Sequence, residues 1–408
     1  MLKILMSILL TLLSLEGGEW KLIGFSNAPV KWVRVHPENP DVIFASTDEG
    51  LFRSVDKGIT WKEVRDGFHY LFFDPSDSLK VYALLSNGSY SAGLYLSKDL
   101  GDNWSPLFYI PYPTSLTFPS YGSHTMVLGT KGEGVWRSDN SGSDWQEMNQ
   151  GLENLDVLSI TMVEPTGSVF YPIAGTEGGV YFWDYRGGYW TLCPNTQNLS
   201  AKGLSIYGKR GPIWIALGAG THSDGIYVSK DFGHTWEVSK YITYPTYTLV
   251  NQFDSNTVYA ADSGEGVLIT RDGGRVWNLM NEGLGNLYVL SLSQSVRDTL
   301  HLYAGTCAGL WVYEFPCSVE EEIVSKGLKV KISKVSQSRV SISYYLPQQF
   351  MGKRVELKVF DVMGRVIVNS LEEVRRGWNY QTLRLNRGVY FIRLRIGSRE
   401  RGGKVVIY

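Results

Sequence analysis

Acidic and aromatic residues recur in the glycine-rich turns of this chain: Asp48, Glu49, Glu133, Glu177, Asp224, Asp262 and Glu265, with His222, and beside them Phe68, Tyr70, Tyr112, Tyr244 and Tyr247. Two carboxyl groups held ~5–10 Å apart next to aromatic platforms are what glycoside hydrolysis uses, one as acid and the other as nucleophile or base. The same residue types without a paired geometry make a surface that binds a polysaccharide, a peptide or a protein, and a purely structural surface-layer component is the remaining alternative. Each acid falls in an exposed turn, where Asp and Glu are ordinary, so no catalytic residue is assigned and a noncatalytic binding surface is the preferred expectation. There is no phosphate-cradling glycine loop, no His-Glu-x-x-His helix and no nucleophile elbow. Cys193, Cys307 and Cys317 have no metal-ligand spacing. No metal and no cofactor are therefore expected.

What must position these turns is a repeat. Tryptophans stand at 20, 61, 104, 145, 190, 236 and 277, and five are preceded by one phrase: SVDKGITW (54–61), SKDLGDNW (97–104), SDNSGSDW (138–145), SKDFGHTW (229–236) and TRDGGRVW (270–277). A sixth, WDYRGGYW (183–190), keeps only the glycine and the tryptophan. Asp56, Asp99, Asp231 and Asp272 can accept hydrogen bonds from backbone amides of a tight turn. Gly58, Gly101, Gly142, Gly187, Gly233 and Gly274 stand where such a turn needs positive φ. Trp61, Trp104, Trp145, Trp190, Trp236 and Trp277 then open the next strand as apolar plates between sheets.

Before each phrase lies a short β-like run after a glycine, such as GLFRS (50–54), GIYVS (225–229) and GLWVY (309–313), and before that another, such as VIFAST (42–47) or HLYAGT (301–306). Four short strands per ~40–45 residues predict propeller blades. Trp20 stands where an outermost strand belongs, and the last repeat stops at its third strand near Phe315. The two ends thus complete one blade, giving seven, and closure leaves no open sheet edge. In such a blade the turns between strands two and three share a face with the links between blades, which puts the acids and aromatics on one side and the boxed turns on the other.

These phrases resemble the Asp-box propellers: sialidases, sortilin-type receptors, two-propeller xyloglucanases and photosystem assembly factors. The resemblance covers residues 20–315 and implies the blade architecture rather than an activity. The sialidases bind the substrate carboxylate through an arginine cluster with an Arg-Ile-Pro phrase, and this chain has none; Arg53 and Arg137 belong to the repeat. The xyloglucanases set two aspartates on opposite propellers, and only one propeller is expected here. His36, in VHPENP, falls in a turn phrase repeated in FDPSDS and VEPTGS and is read as a turn residue.

Residues 323–408 change style, with about seven alternating strands such as RVSISYYL (339–346), RVELKVFDV (354–362) and GVYFIRLRI (388–396). Polar and apolar alternation predicts a half-buried antiparallel sandwich. The phrases VELKVFDVMGRVI (355–367), LNRGVYFIRLRIG (385–397) and GGKVVIY (402–408) resemble the C-terminal sorting domain of type IX secretion; an immunoglobulin-like adhesion module is the alternative. The segment holds 18 Lys and Arg against 5 Asp and Glu, whereas residues 1–322 hold 21 against 35. An all-β chain of two oppositely charged domains follows, a seven-bladed propeller over 19–316 and a basic β-sandwich over 323–408, joined by 317–322. The basic domain would meet the secretion machinery or anionic envelope material. Nucleic acid is not an expected partner, since no nucleic-acid module is present.

At the N-terminus, Lys3 followed by an apolar run from Ile4 to Leu13 predicts a signal peptide over 1–18. No apolar run reaches the ~20 residues that span a bilayer, so no transmembrane segment is expected in the mature chain. Cys307 and Cys317 could pair across the last blade or be two buried thiols.

Overall fold

The computed structural model of this 408-residue chain describes residues 18–315 apart from 68–69, 87–90, 120–123, 165–169, 207–210, 219–223 and 253–254. Beyond Phe315 it describes 329–336, 339–346, 354–361, 365–373, 377–384, 388–396 and 399–407. Residues 1–17 of the expected signal peptide therefore lie outside the described residues, as do His222, Phe68 and Cys317. The chain divides into two compact units, Met1–Phe315 and Pro316–Tyr408. Every regular element among the described residues is a β-strand, and no helix there is long and apolar enough to cross a membrane.

Seven four-stranded antiparallel sheets make up the first unit. Six are built from consecutive strands, as in blade 1 with Val30–Val35, Ile43–Thr47, Leu51–Ser54 and Lys62–Arg65. The first strands of blades 2 to 6 are Tyr70–Phe73, Pro113–Thr117, Val157–Val163, Ser200–Ile206 and Pro245–Val250. Blade 7 takes Val289–Ser295, Asp298–Thr306 and Gly309–Glu314 from the end of the unit and Trp20–Gly24 from its start. Trp20 pairs with Tyr313 and Leu22 with Trp311, so the ring is closed by backbone hydrogen bonds between residues almost 300 positions apart. First strands of neighbouring blades meet around the axis, where Val33 N donates to Ser291 Oγ and Ser159 Oγ donates to Ala201 O. These bonds satisfy polar groups that the seams would otherwise bury unpaired.

The boxed turns are hydrogen-bonded units. Ser54 Oγ donates to Asp56 Oδ1 at 2.7 Å and accepts from Gly58 N at 2.8 Å, while Asp56 accepts from Thr60 N and Thr60 Oγ1 at 2.8 and 2.6 Å. Ser97, Asp99, Gly101 and Asn103 repeat the pattern in blade 2, and Ser229, Asp231, Gly233 and Thr235 repeat it in blade 5. In blade 3 Asn140 takes the aspartate's place and still accepts from Asp144 N. The backbone needs two left-handed residues in a row, not the glycine alone: Lys57, Leu100, Ser141 and Phe232 have φ between 54° and 60°, each followed by its glycine near 90°. The degenerate sixth phrase corrects the sequence reading, because there Gly188, at φ 69°, and not Gly187 holds the left-handed position.

The side-chain and backbone donors around Asp56 and Asp99 pull both carboxyls down to about 2, with the Thr60 and Asn103 side chains contributing most. A carboxyl depressed on folding stabilises above its unfolded value of ~3.9 and loses that contribution as pH falls through the folded value. Acid melts of Asp56→Asn and Asp99→Asn are therefore expected to show a shallower fall in stability between pH ~4 and ~2 than the parent, since Asn140 shows that the amide fits the turn. An unchanged slope would mean the turns do not hold their carboxylates.

The box tryptophans seal the seams, but unequally. Trp190 and Trp236 are buried at 2% and 3% exposure, whereas Trp61, Trp104, Trp145 and Trp277 are only half-buried, so the uniform buried plate expected from sequence is corrected. Four of them donate Nε1 to their own turn's glycine carbonyl, as Trp61 does to Gly58 O at 3.1 Å. Trp20 and Trp190, whose blades lack a full box, instead reach the preceding blade: Trp20 Nε1 donates to Met280 O at 2.6 Å and Trp190 Nε1 to Met148 O at 2.5 Å. His36 behaves as a turn residue, accepting at Nδ1 from Glu38 N and Asn39 N and meeting Ser78 O through Nε2 at 2.7 Å. Cys193 is a buried thiol pushed up to about 12 by burial, and Cys307 is exposed, which overturns the reading of two buried thiols at 307 and 317.

The second unit comprises a three-stranded sheet of Lys329–Ser336, Arg339–Leu346 and Gly377–Arg384 and a four-stranded one of Val366–Glu373, Arg354–Asp361, Gly388–Ile396 and Arg399–Ile407. Val355, Leu357 and Val359 are buried on one face of the latter. Glu356 and Lys358 alternate with them, register with Arg395 and Arg393, and pair with each other at 2.6 Å. Arg393 stands over the Phe360 ring at 4.9 Å. The charged face expected from every-second-residue spacing is present on this sheet, and Glu356 offsets part of its positive charge.

Candidate ligand-binding mouth

Antiparallel strand order places the turns between strands two and three, together with the blade links, on one face of the ring. Threonines shape those turns. Thr47, Thr130, Thr176 and Thr306 each donate Oγ1 to the carbonyl of the glycine that opens the next strand, at 2.8–3.3 Å. Asp48, Glu49, Glu133, Glu177 and Glu265 project from these turns and are exposed, with Asp48 ion-paired to Lys31. In blade 6 Asp262 replaces the threonine, accepts from Tyr244 N and Glu265 N at 2.8 Å each, and is 1% exposed. Asp224 is likewise buried, at 3%. Both are corrections to the expectation of exposed acids, and at Asp262 the reason is that its short carboxylate closes the turn.

The aromatic candidates divide as well. Tyr112 and Tyr244 stand out from blade links at 49% and 58% exposure. Tyr70 and Tyr247 do not lie in links but on the inner strands of blades 2 and 6, and between them sits a residue that sequence reasoning passed over, Trp32 of blade 1. The Trp32 ring meets Tyr70 edge-on at 5.2 Å and Tyr247 at 5.4 Å. Blades 1 and 6 are separated by blade 7, so a contact between their inner strands has to cross the central channel. Trp32, Tyr70 and Tyr247 pair with Ser46, Leu84 and Ala261, each one residue short of its turn, so the three rings stopper the channel just inside this mouth. Ser115, Ser159 and Ser291 hold the same register position in blades 3, 4 and 7. That contrast of Trp with Ser was the available signal. Burial raises the Tyr70 phenol above its ordinary value, which keeps it a neutral donor.

A cavity of about 450 Å³ opens at the opposite mouth, lined by Arg34, Phe72, Phe73, Phe118 and Gln294 among others. It is not on the face where sequence reasoning placed ligands. The loops between first and second strands on that side include residues 120–123, 165–169, 207–210 and 253–254, outside the described ones.

The carboxyls whose protonation is shifted lie outside the link-face turns. Asp56, Asp99, Asp102, Asp231, Asp272, Asp298 and Glu356 are all held below their ordinary values. For buried Asp298 desolvation pushes upward, but the hydrogen bond and charge of His301 and the charge of Lys57 outweigh it. Among the described residues no group of three His, Cys, Asp or Glu stands ready to hold a metal ion.

Comparison with known proteins agrees with this architecture. Residues 226–239 match the BNR-Asp box repeat and residues 336–408 match the secretion system C-terminal sorting domain. A probable oligoxyloglucan-reducing end-specific xyloglucanase of Neosartorya fischeri is 24% identical over 243 residues, 52% of this chain and 27% of that protein. The Emericella nidulans oligoxyloglucan-reducing end-specific xyloglucanase is 23% identical over the same shares. The match thus spans about a quarter of these relatives' own length. Of solved structures, YCF48 from Cyanidioschyzon merolae superposes with a TM-score of 0.56 at 15% identity, covering 74% of this chain and 100% of that one. The Niastella koreensis GH74 enzyme gives 0.60 at 13% identity, covering 94% and 73%. At these identities the structures speak for the fold. The chain carries Asp-box repeats in a seven-bladed propeller and a type IX secretion sorting domain, and that domain implies export to the cell surface or the medium.

Proposed function

We propose that this is an exported, noncatalytic propeller that binds a polysaccharide across its link face and is delivered by its C-terminal sorting domain. The observation that carries the reading is the aromatic stopper of Trp32, Tyr70 and Tyr247, ringed by exposed tyrosines and acids. It turns the channel into a floor on which sugar rings can stack while carboxylates accept their hydroxyls. The propeller's excess of acids disfavours polyanionic chains and suits a neutral one.

Affinity electrophoresis in gels containing xyloglucan or another neutral β-glucan tests this. Retardation of the full chain is expected, weakened in Trp32→Ala and unchanged in Ile59→Ala, a residue 82% exposed on the box face. Equal mobility with and without every glycan tried would refute it. A second reading, a glycoside hydrolase using two link-face acids, is favoured by the partial similarity to the xyloglucanases. It requires turnover that a single Asp or Glu substitution on that face abolishes.

A further inference from the structure

The blades are not equally related. Residues 93–163 align with 225–295 at a constant offset of 132 without a gap, and 29 of the 71 positions are identical. The offset equals three blades, so the stretch from the third strand of blade 2 to the first strand of blade 4 recurs from blade 5 to blade 7. Local bonds repeat with it. Asn149 Oδ1 accepts from Val135 N as Asn281 Oδ1 does from Val267 N, and Thr114 Oγ1 donates to Val157 O as Thr246 Oγ1 does to Val289 O. The copies even end alike, since the Trp190 and Trp20 bonds to Met148 and Met280 correspond.

Most of the identities are explained by folding: glycines, box residues, buried Val, Met and Leu, and the turn-closing Thr and Asn. Apart from glycines, five identical pairs are exposed in both copies, and folding does not call for them. One is Lys98 with Lys230, on the box face. The other four all lie on the link face: Tyr109 with Tyr241 (60% and 61% exposed), Tyr112 with Tyr244 (49% and 58%), Leu155 with Leu287 (39% and 38%), and Glu133 with Glu265.

Resting on the polysaccharide reading above, we infer that the link face carries two equivalent glycan-contact stations, one built on Tyr109, Tyr112, Glu133 and Leu155 and the other on Tyr241, Tyr244, Glu265 and Leu287. The occupant is a neutral polysaccharide. A surface that offers the same two tyrosines, one carboxylate and one leucine twice, three blades apart, fits a ligand that presents the same face twice, which is what a chain of repeating sugar units does. Tyrosine rings take the CH faces of the sugars and the glutamate takes their hydroxyls. The net negative propeller excludes an acidic polymer from both stations alike.

Calorimetric titration of the full chain with a short xyloglucan oligosaccharide, too short to bridge the mouth, is the test. Two sites per chain of similar affinity are expected, one site in Tyr112→Ala, one in Tyr244→Ala and none in the double variant, with melting temperatures unchanged because the side chains are exposed. Either single variant should also weaken binding of the long polymer about 100-fold, the scale of lost bivalency. One site in the parent, or a stoichiometry that only one of the two substitutions alters, would overturn the paired stations while leaving glycan binding intact. No binding of any neutral glycan would overturn the polysaccharide reading and the stations with it.

Discussion

Replacing Trp190 with alanine is expected to cost about 3–5 kcal/mol, the range for deleting a fully buried large aromatic. Its ring is 2% exposed, it meets Trp183 edge-on at 5.3 Å, and its Nε1 ties blade 4 to the Met148 carbonyl of blade 3. The substitution therefore opens a cavity and orphans a buried carbonyl at once. Trp61→Ala is expected to cost about half as much, since Trp61 is half-buried and bonds only within its own turn. Chemical denaturation of the two variants beside the parent checks the ranking. Equal losses would mean that the seams are not sealed by these rings.

Removing residues 316–408 is expected to abolish delivery to the cell surface or medium while leaving a propeller that still melts cooperatively and keeps its glycan binding. The physical reason is that the ring closes through Trp20–Gly24 on Gly309–Glu314, so every blade is complete before the second unit begins. Fractionation of cells expressing the truncated and full chains, with thermal melts of both purified proteins, reads the two halves of the claim separately. Delivery of the truncated chain at the full level would remove the sorting role. A broadened or lowered propeller transition would show that the second unit also supports the first.

The blade count and the closure were legible because the box combines a glycine that must adopt positive φ with a tryptophan that must be covered, and such residues leave a mark at every repeat. The second left-handed position was not, because Lys57, Leu100 and Phe232 pay that strain individually and share no side-chain type. Nor did sequence separate acids that face water, such as Glu133, from Asp262, whose carboxylate closes a turn in place of threonine. The aromatic stopper was hidden for another reason: Trp32 meets Tyr70 from the neighbouring blade 2 but Tyr247 of blade 6 only across the axis. The repeat at an offset of three blades was readable, but a one-blade period passes over it.

The central claim is that the mouth holds a polysaccharide without cutting it. Size-exclusion chromatography with light scattering, run on a neutral β-glucan such as xyloglucan after prolonged incubation with the full chain, tests it in one measurement. The expected result is protein co-eluting with polymer whose molar mass, after the protein is stripped away, equals that of the starting material. Protein eluting alone, or polymer shortened in a way that one link-face carboxylate substitution prevents, would contradict it.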